Sequence, residues 1–84
     1  MRLVFTTRSW DDYLYWQKND KRMVGRINDL IKDIQREPFE GIGKPEPLKH
    51  QLQGLWSRRI DSEHRLVYEI AEDEQRIIGC RYHY

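Results

Sequence analysis

The side chains able to do chemistry gather in the second half of the chain: Glu46, Lys49, His50, Arg58, Arg59, His64, Arg65, Arg81, His83 and Tyr84. A carboxylate, imidazoles and guanidinium groups together match the needs of metal-free RNA cleavage. That reaction requires a base to take the 2′-hydroxyl proton, an acid to protonate the departing 5′-oxygen, and a cation where charge builds on phosphate. DNA lacks the internal nucleophile and would be inert to this route. Taken singly, each residue also has an ordinary structural reading. Arg58, Arg59 and Arg65 could simply pair with Asp61, Glu63 or Glu69. Glu46, between two prolines, could be an exposed loop carboxylate. His50 and His64 suit surface or turn positions, and for His64 that reading is preferred. Tyr84 directly follows a candidate catalytic imidazole, where stacking on a base is a reasonable role.

No metal or cofactor is expected. A zinc site from His50, His64, His83 and Cys80 would draw on scattered positions with no CxxC or HxxxH spacing. Cys80, the single cysteine, has no partner for an intramolecular disulfide and lies in the apolar-flanked run Ile77-Ile78-Gly79-Cys80. It reads as a buried thiol rather than a nucleophile. No run is apolar enough for a signal peptide or a membrane span, so the chain reads as cytoplasmic.

The elements that must position these residues fit one domain, 1–84, since 84 residues leave no room for a second core. Three Trp, five Tyr and two Phe must supply much of the buried area. Fifteen Lys and Arg against 14 Asp and Glu give a formal charge of +1, which excludes a long-range field over the whole surface. Any nucleic-acid site is therefore a local patch.

Arg2-Leu3-Val4-Phe5-Thr6 reads as a first strand. Ser9 before Trp10-Asp11-Asp12 reads as the start of a helix running to about residue 17, with Trp10, Tyr13 and Trp16 as core or partner contacts. Asp20 caps a second helix in which Met23, Val24, Ile27, Leu30, Ile31 and Ile34 form an apolar stripe. The opposite face, with Arg22, Arg26, Asp29, Lys32, Asp33 and Arg36, reads as solvated and is assigned no function. Gly25 within this helix costs roughly 1 kcal/mol relative to Ala unless close packing requires it. Pro38 ends the helix by Glu37, with Phe39 placed to fold back over its end. The glycines and prolines of residues 41–47 predict irregular backbone around Glu46.

Strands are predicted over 55–60, 65–70 and 76 to about 83, antiparallel because their links are short. In the middle strand Leu66, Tyr68 and Ile70 share the face that helices should cover, leaving Arg65, Val67 and Glu69 on the other. Alternation carried through the last strand puts Arg81 and His83 on one side, so that Arg65, Arg81 and His83 line an open sheet surface.

Several motifs keep their spacing together: Gly43-Lys44-Pro45-Glu46-Pro47-Leu48-Lys49-His50, Gly54-Leu55-Trp56-Ser57-Arg58-Arg59-Ile60, Glu63-His64-Arg65-Leu66-Val67-Tyr68 and Cys80-Arg81-Tyr82-His83-Tyr84. With Ser9-Trp10-Asp11-Asp12-Tyr13 and the second amphipathic helix, they resemble the YoeB toxins of the RelE/ParE superfamily over essentially the whole chain. The resemblance implies an α+β, RelE-like microbial-ribonuclease-type fold, with two N-terminal helices packed on a twisted, mainly antiparallel sheet. It also implies the toxin of a type II toxin–antitoxin pair, an mRNA endoribonuclease that enters the ribosomal A site and stops translation by cutting the message there. By motif, Glu46 is then the general base, His83 the general acid and Arg65 the phosphate-stabilising cation. Lys49 and Arg59 would hold phosphate and Tyr84 would orient the nucleotide.

The implied partners are a YefM-like antitoxin, the 70S ribosome, operator DNA reached through the antitoxin complex, and a second copy of the toxin. Ribosome dependence is physically sensible, because one small basic patch neutralises few phosphates and rRNA can supply the missing positioning. A different class remains open: a non-catalytic toxin that blocks its target by binding, as gyrase-directed members of the superfamily do. The Glu46, Arg65 and His83 set argues against it.

Overall fold

The computed structural model describes residues 1–82; His83 and Tyr84 lie outside the described residues. In chain order the elements are β1 (Arg2–Phe5), α1 (Thr7–Asn19), α2 (Lys21–Arg36), β2 (Glu46–Pro47), a 3-10 turn (His50–Leu52), β3 (Trp56–Arg59), β4 (Arg65–Ala71) and β5 (Glu74–Gly79). The strands form one sheet in the order β1-β5-β4-β3-β2. β1 runs parallel to β5 and every other pair is antiparallel. The architecture is α+β, as expected, with the helices on one face of the sheet.

Two hydroxyl residues three positions apart competed to start α1, and the earlier one holds the cap. The Thr6 hydroxyl accepts from the Ser9 N–H at 3.1 Å, whereas Ser9 is buried inside the first turn and donates its own hydroxyl to the Thr6 carbonyl. Thr6 wins because β5 fixes it: its N–H bonds the Ile77 carbonyl and its hydroxyl the Ile78 carbonyl, each at 3.2 Å. The helix is therefore longer than the Ser9 signal implied and ends at Asn19. Asp20 serves both helices. Its N–H closes α1 on the Trp16 carbonyl, and its side chain caps α2 by accepting from the Arg22 N–H.

The α2 stripe is the centre of the core. Met23, Ile27, Leu30, Ile31 and Ile34 pack with Trp16 of α1 and with Ile60, Leu66, Tyr68, Ile77 and Cys80 from the sheet side. Leu66, Tyr68 and Ile70 face the helices as alternation required. The far side of α2 is not uniformly solvated, because Asp33 reaches the buried Arg58. Gly25 has no packing reason, since a Cβ there would meet nothing within 4 Å.

Residues 41–47 are more ordered than their composition suggested. Glu46 and Pro47 form an edge strand of two residues paired with Ser57 and Trp56, a place where proline's missing N–H is tolerated. The Arg59 N–H donates to the Gly43 carbonyl and the Leu48 N–H to the Leu55 carbonyl, which extend the docking of this loop on β3. Gly43, at φ 79°, is required there: a Cβ would come within 2.8 Å of Leu30 and 3.1 Å of the Arg59 carbonyl.

The last strand departs most from period-two alternation. β5 starts at Glu74 after a two-residue turn, with Glu72 and Asp73 both in the left-handed region, as tight hairpins require. Tyr68 pairs with Ile77 but Val67 with Gly79, so Ile78 is an extra residue in the ladder. This bulge lets Ile77 and Cys80 both enter the core. The strand ends at Gly79, and the alternation that aligned Arg81 with Arg65 does not hold.

Candidate active site

β3 sorts its side chains by face. Trp56 and Arg58 turn toward the helices, while Ser57 and Arg59 lie on the face away from them, where Ser57 and its neighbour Val67 are buried and Arg59 is exposed. Pairing then brings Glu46 beside Ser57 from β2, and Val67 and Arg65 from β4. The outcome is a patch built from three strands. The Arg65 Nη1 lies 3.4 Å from the Glu46 carboxylate, with the Glu46 side chain 58% exposed and that of Arg65 22% exposed. Arg59 stands directly opposite Arg65 in the ladder, is exposed, and makes no ion pair among the described residues. Like charges placed directly opposite each other on one sheet face are destabilising. An anion between them would turn that repulsion into attraction.

The other expected residues divide cleanly. Lys49 is exposed just past β2, at the start of the 3-10 turn, and so borders the patch; His50 is exposed with φ 59°. Arg58 is not part of the site. It is fully buried, and its guanidinium donates to Asp33 Oδ2 (2.5 Å), the Tyr68 hydroxyl (3.2 Å) and the carbonyls of Glu37, Glu40 and Ile42. Its partner is Asp33 on α2 rather than the sequence-near acids. Hydrogen bonds from Arg36 and then Arg58 lower the Asp33 pKa to about 2.

Arg81 also leaves the expected surface. Its guanidinium sits 3.4 Å from the centroid of the Tyr15 ring on α1 and 4.6 Å from that of Tyr82. Cys80 is fully buried, and burial followed by the charge of Asp12 pushes its thiol up to about 12, as suits a structural residue. His83 and Tyr84, the acid and the stacking ring of the expectation, fall beyond the described residues. Among the described residues no three His, Cys, Asp or Glu side chains cluster as metal ligands would, and no helix is long and apolar enough to cross a membrane.

Three residues that the sequence reading left as ordinary hold the segment after β5. The Cys80 N–H donates to Asp12 Oδ2 at 3.0 Å, and the Trp16 indole donates to the Cys80 carbonyl at 2.8 Å. The imidazole of His64 is buried, not at the surface, and its Nδ1 accepts the Tyr82 N–H at 2.8 Å. Only Trp16 carried a usable signal, because a buried indole N–H must find an acceptor. Asp12 and His64 looked like ordinary polar residues of a helix and a turn.

Residues 5–84 match the family described as YoeB-like toxin of bacterial type II toxin-antitoxin system. The chain belongs to that family. It is 64% identical to Toxin YoeB of Escherichia coli K12 over 84 residues, covering all of both chains. Among solved structures, a YoeB/ParE toxin from Agrobacterium tumefaciens superposes with a TM-score of 0.98 at 55% identity, again over the full length of both. The YoeB of a heterotetrameric YoeB-YefM toxin-antitoxin complex from Staphylococcus aureus gives a TM-score of 0.92 at 49% identity, covering 100% of this chain and 98% of that one.

Proposed function

We propose that this toxin is a ribosome-dependent mRNA endoribonuclease that cuts the message in the ribosomal A site. The observation that carries the reading is the Glu46–Arg65 pair, at 3.4 Å and open to solvent on the sheet face away from the helices, with Arg59 directly opposite Arg65. Glu46 is the general base that takes the 2′-hydroxyl proton; the freed oxygen attacks the adjacent phosphorus and a 2′,3′-cyclic phosphate forms. Arg65 stabilises the charge that builds on the phosphate oxygens, and His83 protonates the departing 5′-oxygen. Lys49 and Arg59 hold neighbouring phosphate and Tyr84 orients the nucleotide. The three catalytic roles are filled by protein groups.

The ribosome fits this chemistry because the patch is small and the chain carries a formal charge of only +1. Few phosphates are neutralised directly, so the decoding site must supply positioning. A YefM-like antitoxin is the partner that restrains the toxin, by analogy with the staphylococcal complex. Operator DNA is contacted through that complex, and the free toxin pairs with a second copy of itself in the cytoplasm.

The test is mapping of mRNA 5′ ends on programmed 70S ribosomes with and without the toxin, using Glu46→Gln plus His83→Ala as the control. The expected result is a new end within the A-site codon that disappears in the control. Uncut mRNA from a folded, ribosome-bound toxin would instead indicate an inhibitor that acts by binding.

A further inference from the structure

We propose that His64 is a positioning residue for cleavage: its Nδ1 holds the backbone of Tyr82 and thereby fixes the approach of the next residue, His83. This rests on His83 being the general acid. The imidazole is 8% exposed and accepts the Tyr82 N–H at 2.8 Å. Acceptance at Nδ1 requires the neutral ring with its proton on Nε2, and Nε2 faces Glu63 Oε1 at 3.9 Å. A second bond grips the other side of Tyr82, whose carbonyl accepts the Arg65 N–H at 3.1 Å. Tyr82 has φ 68°. A non-glycine residue keeps that left-handed backbone only where its surroundings hold it.

His64 is itself immobilised. Its N–H donates to Asp61 Oδ1 at 2.7 Å, and its ring meets Trp16 edge-to-face with centroids 4.8 Å apart. Trp16 in turn binds the Cys80 carbonyl. The backbone of residues 80–82 is therefore pinned by α1 at Cys80 and by His64 at Tyr82. The residue after His64 is Arg65, so a single stretch of backbone presents the phosphate cation and holds Tyr82, the residue before the acid. A polar ring this buried has its one acceptor committed to the Tyr82 N–H.

The test compares three variants on programmed 70S ribosomes. His64→Asn keeps an acceptor near the Nδ1 position, His64→Gln moves it toward the Nε2 position, and His64→Phe removes it. The expected result is near-wild-type cleavage for His64→Asn. The other two should lose about tenfold to 10²-fold in rate at saturating toxin, with half-saturation unchanged, as for a misplaced reacting group. In a His83→Ala background His64→Gln should add no further loss, which a purely structural role would not produce.

Folded His64→Gln and His64→Phe proteins that cleave at the wild-type rate would overturn the proposal, as would equal losses in His64→Asn and His64→Phe. If His64→Phe does not fold, the Asn and Gln pair decides. In the wild type the Tyr82 amide must exchange with solvent at least about tenfold more slowly than an open chain, and an unprotected amide also overturns the proposal. His83→Ala alone separates the two ideas: wild-type cleavage there defeats the acid assignment, whereas its loss beside fully active His64 variants defeats only the positioning role.

Discussion

Arg58 and Arg59 are neighbours on β3 with opposite fates. Arg58 points into the helix-covered side, where Asp33, Tyr68 and three backbone carbonyls use its donors. Arg59 points to the side away from the helices, opposite another cation, with no ion pair among the described residues. The first is a structural charge whose hydrogen bonds offset its burial. The second keeps its charge available to a ligand. Farther along the face away from the helices, Arg76 is bound by Glu69, Glu74 and Glu72. On this face local acids thus saturate Arg76, whereas Arg59 is left without an ion pair among the described residues beside Arg65 and its partner Glu46.

The sharpest way to break this contrast is to truncate each arginine in turn. Arg58→Ala should destabilise the toxin by about 3–5 kcal/mol, because Asp33 and the carbonyls lose their partner, and thermal or urea unfolding would measure it. The same pair predicts a pH signature. The folded Asp33 pKa, about 2, lies below its ordinary value of 3.8. Its stabilising contribution is therefore present above about pH 4 and is lost as pH falls toward 2. The difference in melting temperature between wild type and Asp33→Asn should shrink over that range; a constant difference would sever the link between Arg58 and the Asp33 charge.

Arg65→Ala and Glu46→Gln should reverse the pattern, lowering ribosomal cleavage by about 10²-fold or more while leaving unfolding nearly unchanged. Arg59→Ala is the finer probe. Cleavage should fall by less than about tenfold, and stability should hold or rise by roughly 0.2–1 kcal/mol as the repulsion opposite Arg65 is relieved. A stability loss like that of Arg58→Ala would erase the distinction between the faces. The smallest effect is expected at Gly25→Ala. With open space around the added Cβ, it should stabilise α2 by up to about 1 kcal/mol without altering cleavage, as checked by parallel melts and ribosome assays.

Much of this organisation was legible in local pattern. The α2 stripe, the Asp20 cap and the paired faces of β4 follow from periodicity, because an apolar residue every third or fourth position, or every second, has one way to be buried. The grouping of Glu46 with Arg65 was legible from side-chain chemistry and from the resemblance to the YoeB toxins, not from any pattern that measured their distance. The misreadings share a cause: in each, a long-range partner overrode a local rule. Thr6 displaced Ser9 as the cap because β5 holds it, and the Pro-rich loop became an edge strand because β3 offered a ladder. The solvated face of α2 lost Asp33 to a guanidinium 25 positions away.

The sequence by itself determined that the chain makes an α+β core, that its reactive groups sit in the second half, and that its motifs are those of a YoeB-like toxin. These properties reside in residue type and spacing along the chain. Tertiary structure alone decided which of two adjacent arginines is buried, that β5 ends at Gly79 and leaves Arg81 against Tyr15, and that His64 faces the Tyr82 amide. Such outcomes depend on strand register and on hydrogen bonds between distant segments, and a one-residue bulge changes the face of everything after it.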